Sequence, residues 1–98
     1  MIIAIDYDKT WTADPDLWQQ FCELAEARNH TTVMVTGRKA WSDDMARSGL
    51  PRGMQIIYAG DEFKQRAAEK AGVKVDVWID DMPGTIQPNL LLDTSKGL

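Results

Sequence analysis

The sequence predicts a three-layer α/β fold, in which a parallel sheet with strand order 3-2-1-4-5 lies between helices. Short apolar runs alternate with amphipathic segments along the 98 residues, and this alternation is typical of parallel strands joined by helical crossovers. Three of the apolar runs end abruptly in aspartate or threonine. Ligands of such sheets bind beyond the carboxyl ends of the strands, so these ends are where function is expected. The length suits one domain over residues 1–98.

The first strand and the first helix have the clearest signals. Ile2–Ile5 is a continuous apolar run, as expected for a central strand that is buried on both faces. A helix over residues 15–28 follows, with Asp14 as N-cap, Pro15 at its first position and Asp16 in its first turn. Its expected packed face consists of Leu17, Phe21, Leu24, Ala25 and Arg28, flanked by Trp18 and Cys22.

The remaining elements follow from β-branched runs, helix caps and glycine stops. In chain order they are a strand at 32–36, a helix at 41–48, a strand at 55–58, a helix at 62–71, a strand at 75–79 and a short edge strand at 89–92. Asp61 is the expected N-cap of the third helix, and Gly72 ends that helix. Right-handed crossovers then place the first strand in the middle of the sheet.

Composition excludes several classes of protein. A net charge of −4 argues against long nucleic acid as a partner, because a broad phosphate-binding surface is basic. No segment approaches the apolar length of a membrane span. Cys22 is the single cysteine, so no intramolecular disulfide can form, and we expect a cytoplasmic protein with Cys22 in its core.

Acidic side chains gather where the predicted strands end. Asp6 and Asp8 follow the first strand, Thr36 follows the second, and Asp80 and Asp81 follow the fourth. Neighbouring carboxylates repel one another unless a cation compensates them. Four carboxylates at one edge favour a hard divalent cation such as Mg²⁺, and the threonine hydroxyl beside a backbone N–H favours a phosphate group.

Basic and aromatic residues near this edge have more than one interpretation. Lys64, at the start of the third predicted helix, is the expected cation of the site, and Lys70, late in the same helix, is the weaker candidate. Arg38 either contacts a substrate phosphate or leaving group or is an exposed structural arginine. Trp11 either packs in the core, which we favour, or stacks on a substrate ring.

Four segments resemble, in the family's own order, the four motifs of the haloacid dehalogenase-like (HAD) phosphohydrolases. They are residues 6–12, residues 35–37, Lys64 and residues 79–81. The resemblance implies a Rossmann-like domain that hydrolyses a phosphomonoester with Mg²⁺ through an aspartyl-phosphate. It implies that Asp6 is the nucleophile and that Asp8 is first general acid and then general base.

The resemblance also implies roles for the other motif residues. Thr10 would hold the loop that positions Asp8, and Thr36 and the Gly37 N–H would bind phosphate oxygens. Lys64 would neutralise the nucleophile and the charge that develops during transfer. The implied metal ligands are Asp6, Asp8 through its backbone carbonyl, Asp80 and Asp81, with Asp81 favoured as the direct carboxylate ligand.

The sequence lacks the insertions that form a cap domain in many HAD enzymes. Only one predicted helix lies between the first two motifs, and almost nothing follows the third strand. An uncapped site is open to water, so a large substrate or a partner subunit, as in a homo-oligomer, would have to cover it. We therefore expect a phosphorylated small molecule, nucleotide or macromolecule as substrate. The alternative is a phosphate- or partner-binding module that keeps the fold and the metal site with little or no turnover.

Overall fold

A computed structural model describes residues 1–40 and 49–88. Four parallel strands form its sheet: β1 (Ile2–Ile5), β2 (Thr31–Thr36), β3 (Gln55–Tyr58) and β4 (Val77–Ile79). Their order is β3-β2-β1-β4, which confirms the predicted order of the first four strands and the central place of β1. The helix predicted at 41–48 and the strand predicted at 89–92 lie outside the described residues. The fifth strand and the absence of a cap therefore stay predictions.

Two α helices of the described chain cover opposite faces of the sheet: α1 (Pro15–Ala27) and α2 (Lys64–Lys70). Successive strand residues point to opposite faces, and the core divides accordingly. The cluster on the α1 face contains Ile3, Ile5, Trp11, Cys22, Ala25 and Met34. The cluster on the α2 face contains Ala4, Val33, Val35, Ile57, Ala59, Ala67 and Ala68. Within residues 1–40 and 49–88, no helix has the length and apolar character needed to cross a membrane.

The N-cap of α1 is the one predicted from the sequence. The Asp14 carboxylate accepts a hydrogen bond from the Leu17 N–H at 3.2 Å, which satisfies one of the unpaired donors of the first turn. The helix ends at Ala27, one residue earlier than expected. Asn29 follows in the left-handed region with φ 67°, a conformation that asparagine tolerates at helix ends.

The predicted packed face of α1 is correct for Phe21 and Ala25 and wrong for Leu17 and Leu24. Leu17 and Leu24 are 52% and 61% exposed. The stripe that meets the sheet consists of Trp18, Phe21, Cys22 and Ala25. These positions also follow helical spacing, and the Trp18 indole N–H donates to the Thr10 carbonyl at 2.8 Å, which fixes the rotation of the helix. Cys22 is buried as predicted, and burial raises the pKa of its thiol.

Two element starts differ from the sequence prediction, and both lie next to an aspartate whose side chain has a partner elsewhere. β4 begins at Val77 rather than at residue 75, and the Asp76 carboxylate accepts the Ile2 N–H at 2.7 Å. α2 begins at Lys64 after Phe63, without a side-chain cap. Asp61, the predicted cap, instead pairs with the Lys39 ammonium at 3.2 Å.

The revised face of α1 predicts opposite results for two neighbouring substitutions. Ala25→Gln places a long polar side chain in the core and should lower the free energy of unfolding by about 1–3 kcal/mol. Leu24→Gln changes an exposed position and should stay within about 0.5 kcal/mol of the parent. Urea unfolding followed by tryptophan fluorescence measures both. Equal losses in the two variants would show that Leu24 packs after all.

Candidate functional site

An open cleft of about 410 Å³ lies at the carboxyl edge of the sheet, where β1 and β4 end. Its described lining consists of Asp6, Asp8, Lys9, Gly37, Gly60, Asp61, Glu62, Phe63, Lys64, Asp80, Asp81, Met82, Gly84 and Thr85. The structure thus gathers most of the site residues predicted from the sequence into one cleft, at the edge where they were expected.

Strand register brings the two innermost carboxylates together. Ile5 of β1 is paired with Ile79 of β4, so the next residues, Asp6 and Asp80, leave the sheet side by side. Ala4 and Trp78 lie on the α2 face of the sheet. Side chains two residues apart in a strand point the same way, so Asp6 and Asp80 also point towards α2. Lys64, the first residue of α2, meets them there. Its ammonium lies 2.7 Å from Asp6 Oδ1 and 2.6 Å from Asp80 Oδ2.

All three side chains of this ion cluster are buried, with 2–7% of their surface exposed. Burial raises the pKa of Asp6 to about 6, although the hydrogen bond from Lys64 opposes the rise. Burial by itself would lower the pKa of Lys64, but the hydrogen bonds to Asp6 and Asp80 outweigh it and raise the pKa overall. The ammonium is therefore charged at neutral pH, whereas the pKa of Asp6 leaves a fraction of that carboxyl protonated.

Thr10 links the ion cluster to an exposed third carboxylate, Asp81. The Thr10 hydroxyl lies 3.2 Å from Asp6 Oδ2 and 3.2 Å from Asp81 Oδ1. A hydroxyl has one proton, so it donates to only one of these oxygens at a time. It also accepts the Asp81 backbone N–H at 3.2 Å. Hydrogen bonding with Asp6, and then with Thr10, lowers the pKa of Asp81. Thr10 is buried and contacts both carboxylates, and its predicted role in the loop that positions Asp8 stays a prediction.

Two tryptophans, Trp18 of α1 and Trp11 of the loop after β1, hold the backbone around Thr10. Trp18 donates to the Thr10 carbonyl, as described above. Trp11 is only 3% exposed, and its backbone N–H donates to the Asp6 carbonyl at 3.1 Å. Packing in the core is therefore the correct interpretation of Trp11, and stacking on a substrate ring is not available to it.

Three carboxylates of the cleft fit a divalent cation. Asp6, Asp80 and Asp81 each offer one oxygen, and these oxygens lie within 4.8 Å of one another. Together with the Lys64 ammonium they carry a formal charge of −2 when all four groups are ionised. Asp80 already binds Lys64 through Oδ2 and the Met82 N–H through Oδ1, so Asp81 is the carboxylate left facing the cleft. This donor set suits a hard cation such as Mg²⁺.

Asp8 pairs with Arg38. The guanidinium donates to both carboxylate oxygens of Asp8, at 3.0 and 2.8 Å, in a bidentate pair. The Arg38 guanidinium also lies 5.2 Å from the centroid of the Tyr7 ring, a cation–π contact. The hydrogen bonds from Arg38 lower the pKa of Asp8, so this carboxyl is ionised at neutral pH.

Of the two predicted phosphate-binding residues, Gly37 lines the cleft and Thr36 does not. Thr36 is fully buried, and its hydroxyl accepts the Arg38 N–H at 3.2 Å, which shapes the turn after β2. Gly37 lines the cleft, and a Cβ built on it would meet no described atom within 4 Å. Lys70, the weaker candidate for the cation, pairs with Glu62 in an exposed ion pair instead.

Several lining residues were missed by sequence reasoning. They are Lys9, Asp61, Glu62, Phe63, Met82, Gly84 and Thr85. Only their position in the sequence could have indicated that they line the cleft, since each lies within five residues of a strand end or of a predicted site residue. Lys9 adopts the left-handed conformation with φ 66°, stabilised by its N–H donating to Thr12 Oγ1 at 2.9 Å. Such strain in a residue other than glycine is concentrated at functional sites.

Replacing the buried lysine tests whether the ion cluster holds the two strands. In metal-free protein at pH 7, Lys64→Met leaves Asp6 and Asp80 without their cation and should lower the free energy of unfolding by about 3–5 kcal/mol. Lys70→Met is the matched control, with an expected change below about 1 kcal/mol because its ion pair is exposed. Chemical denaturation measures both variants.

The loss caused by Lys64→Met should also depend on pH. Without the ammonium, Asp6 takes up a proton more readily in the folded than in the unfolded protein. The deficit should therefore shrink as the pH falls from 7 towards 4 and should be largest above pH 6. A deficit that is the same at every pH, or as small as that of Lys70→Met, would contradict the buried ion cluster.

Comparison of the chain with protein-family models, with curated proteins and with solved structures finds no match. What the site can do is therefore inferred from its own side chains. They form a buried carboxylate–ammonium cluster, an exposed carboxylate beside it and an arginine–aspartate pair whose Asp8 also lines the cleft.

Proposed function

We propose that this chain is a Mg²⁺-dependent phosphatase that hydrolyses a phosphomonoester through an aspartyl-phosphate on Asp6. The observation that carries the proposal is the Lys64 ammonium held between Asp6 and Asp80, with Asp81 exposed beside them at the carboxyl edge of the central strands. Phosphoryl transfer requires in-line positioning and compensation of charge, and the Lys64 ammonium beside Asp6 supports the second of these. The resemblance to the four HAD motifs supports the same chemistry.

Asp6 and Asp81 would hold Mg²⁺, with Asp80 as an indirect ligand and Thr10 orienting the carboxylates. The formal charge of −2 and the oxygen donors of this group support a divalent ion. The backbone carbonyl of Asp8 is the further ligand that the family resemblance implies. When bound, the ion compensates the negative charge of the carboxylates and of the transferring phosphoryl group.

The proposed reaction has two displacements at phosphorus. A carboxylate oxygen of Asp6 attacks, the ester P–O bond breaks, and the leaving oxygen takes a proton from Asp8. Water then attacks the aspartyl-phosphate while Asp8 accepts its proton, which releases inorganic phosphate and restores Asp6. The Lys64 ammonium compensates the charge of Asp6, and Gly37 is the proposed phosphate-binding residue after β2. Thr36 is buried outside the cleft and shapes that turn, so the phosphate contact expected of its hydroxyl is not part of this mechanism.

Arg38 has to change partners in this mechanism. Asp8 is ionised while Arg38 holds both of its oxygens, so it has no proton to give to a leaving group. A substrate phosphate is an equally good bidentate partner for a guanidinium. Transfer of Arg38 from Asp8 to the substrate would free Asp8 and bind the phosphate at the same time.

The Asp8–Arg38 pair also favours a second candidate, a phosphate- or partner-binding module that turns over slowly or not at all. If Arg38 stays on Asp8 when phosphate binds, the site keeps its anion and metal ligands but lacks a proton donor. In either case the open cleft suits a phosphorylated small molecule, nucleotide or macromolecule, and a second subunit of a homo-oligomer is one way to exclude water from it.

Hydrolysis of phenyl phosphate tests the proposal directly. The parent protein should release phosphate with Mg²⁺ and lose this activity in EDTA. Asp6→Asn removes the nucleophile and should reduce the rate by more than about a thousandfold. Asp16→Asn is the matched control, because Asp16 is an exposed residue in the first turn of α1 and should leave the rate unchanged.

The two candidate functions give different results in that experiment. Asp6-dependent release of phosphate, with an acid-stable mass increase of one phosphoryl group on the quenched protein, supports the phosphatase. Activity that survives Asp6→Asn would show that the nucleophile is wrongly assigned. Binding of Mg²⁺ and inorganic phosphate without hydrolysis of any phosphomonoester tested would support the binding module.

Mg²⁺ affinity should depend on pH through Asp6. Because the folded pKa of Asp6 is raised to about 6, this carboxyl favours the folded state at acid pH, and its contribution is lost as the pH rises through 6. A cation competes with the proton, so Mg²⁺ affinity should rise between pH 5 and pH 7. Calorimetric titration measures the affinity. A parent affinity that does not change over this range would contradict Asp6 as a ligand, and Asp6→Asn should lose the dependence.

A further inference from the structure

Two large apolar side chains line the same cleft as the buried charges. Phe63 is 41% exposed and Met82 is 58% exposed, although both are residues that burial would favour. Single exposed apolar residues are common on protein surfaces, but these two share one concave site with a candidate nucleophile.

Chain connectivity places both side chains close to the reacting atoms. Phe63 directly precedes Lys64, whose ammonium binds Asp6, and Met82 directly follows Asp81. Consecutive Cα atoms are about 3.8 Å apart, and Phe63 and Met82 lie one and two residues from Lys64 and Asp80 of the ion cluster. The Met82 N–H is also bound to the Asp80 carboxylate at 2.9 Å, which ties its backbone to the cluster. A group attached directly to the phosphate would therefore reach this apolar rim.

The charge of the cleft limits what such a group can be. Six carboxylates and two lysines line its described part. Arg38, Lys39 and Lys70 pair with Asp8, Asp61 and Glu62, which leaves a net charge of −1 on the lining and its partners. The charges of Mg²⁺ and of one phosphate dianion cancel, so the occupied site stays negative and repels a second anionic group. Phenylalanine and methionine side chains favour aromatic partners, through edge-to-face and sulfur–ring contacts.

We propose, building on the phosphatase function, that the substrate is the phosphomonoester of an uncharged aromatic alcohol whose ring is bonded to the ester oxygen and lies against Phe63 and Met82. This substrate class excludes bisphosphates, polyphosphates and phosphorylated sugars as preferred substrates. Sugars present hydroxyl groups that the two side chains cannot hydrogen-bond, and the other two classes add negative charge.

Binding of two phosphonates tests ring recognition without relying on hydrolysis. Benzylphosphonate carries a methylene group in place of the ester oxygen of phenyl phosphate, and ethylphosphonate lacks the ring. With Mg²⁺, the parent protein should bind benzylphosphonate about tenfold more tightly than ethylphosphonate. Calorimetric titration gives both dissociation constants.

Variants of the rim assign the preference to particular side chains. Phe63→Ala and Met82→Ala should each reduce the benzyl preference to about threefold or less, with the affinity for ethylphosphonate nearly unchanged. Leu24→Ala is the control, because Leu24 is an equally exposed apolar residue on α1 that does not line the cleft. It should keep the full preference.

The outcomes separate this inference from the proposed function. Three results would overturn the aromatic subsite: equal binding of the two phosphonates, no binding of either, or a benzyl preference that survives in both rim variants. Asp6-dependent hydrolysis would leave the phosphatase standing in each of those cases. A benzyl preference that depends on Phe63 and Met82 in a protein without hydrolysis would support the subsite and overturn the phosphatase.

Discussion

A lysine ammonium buried between two carboxylates is the interaction on which the rest of the site depends. Removing three charges from water costs several kcal/mol for each, and only close contacts such as those of Lys64 with Asp6 and Asp80 offset that cost. These contacts require one strand register. A slip of β4 by one residue against β1 would turn Asp80 to the α1 face and leave the ammonium half paired.

The two faces of the sheet are built differently around this cluster. On the α2 face the core contains small side chains, Ala4, Ala67 and Ala68 among them, and the first residue of the helix reaches the strand ends. On the α1 face the large side chains of Trp11 and Trp18 support the loop that follows β1. One helix thus supplies the cation and the other orients the carboxylates through Thr10.

In the proposed mechanism, the Asp8–Arg38 pair determines whether the site is catalytic. Asp8 and Arg38 form a complete, exposed ion pair in which neither oxygen of the carboxylate is left for a leaving group. A bidentate pair of this kind is a strong contact, but a phosphate offers the guanidinium the same two-oxygen geometry and can replace the carboxylate. In a binding module, the pair would stay intact and block proton transfer by Asp8. In an enzyme, the substrate would displace Asp8 from Arg38.

The sequence by itself determined the strand order of the described sheet, the cap of α1 and the edge at which the acidic residues meet. These features follow from local signals, namely apolar runs, a capping aspartate and charges at strand ends. Only the tertiary structure decided which face of α1 is buried, because two stripes of that helix are almost equally apolar and a hydrogen bond from Trp18 selects one of them. It also decided that Asp8 pairs with Arg38, that Thr36 turns inward and that Phe63 and Met82 flank the charges. Those contacts join residues far apart in the chain, or depend on backbone direction after a strand ends, and neither is encoded in local periodicity.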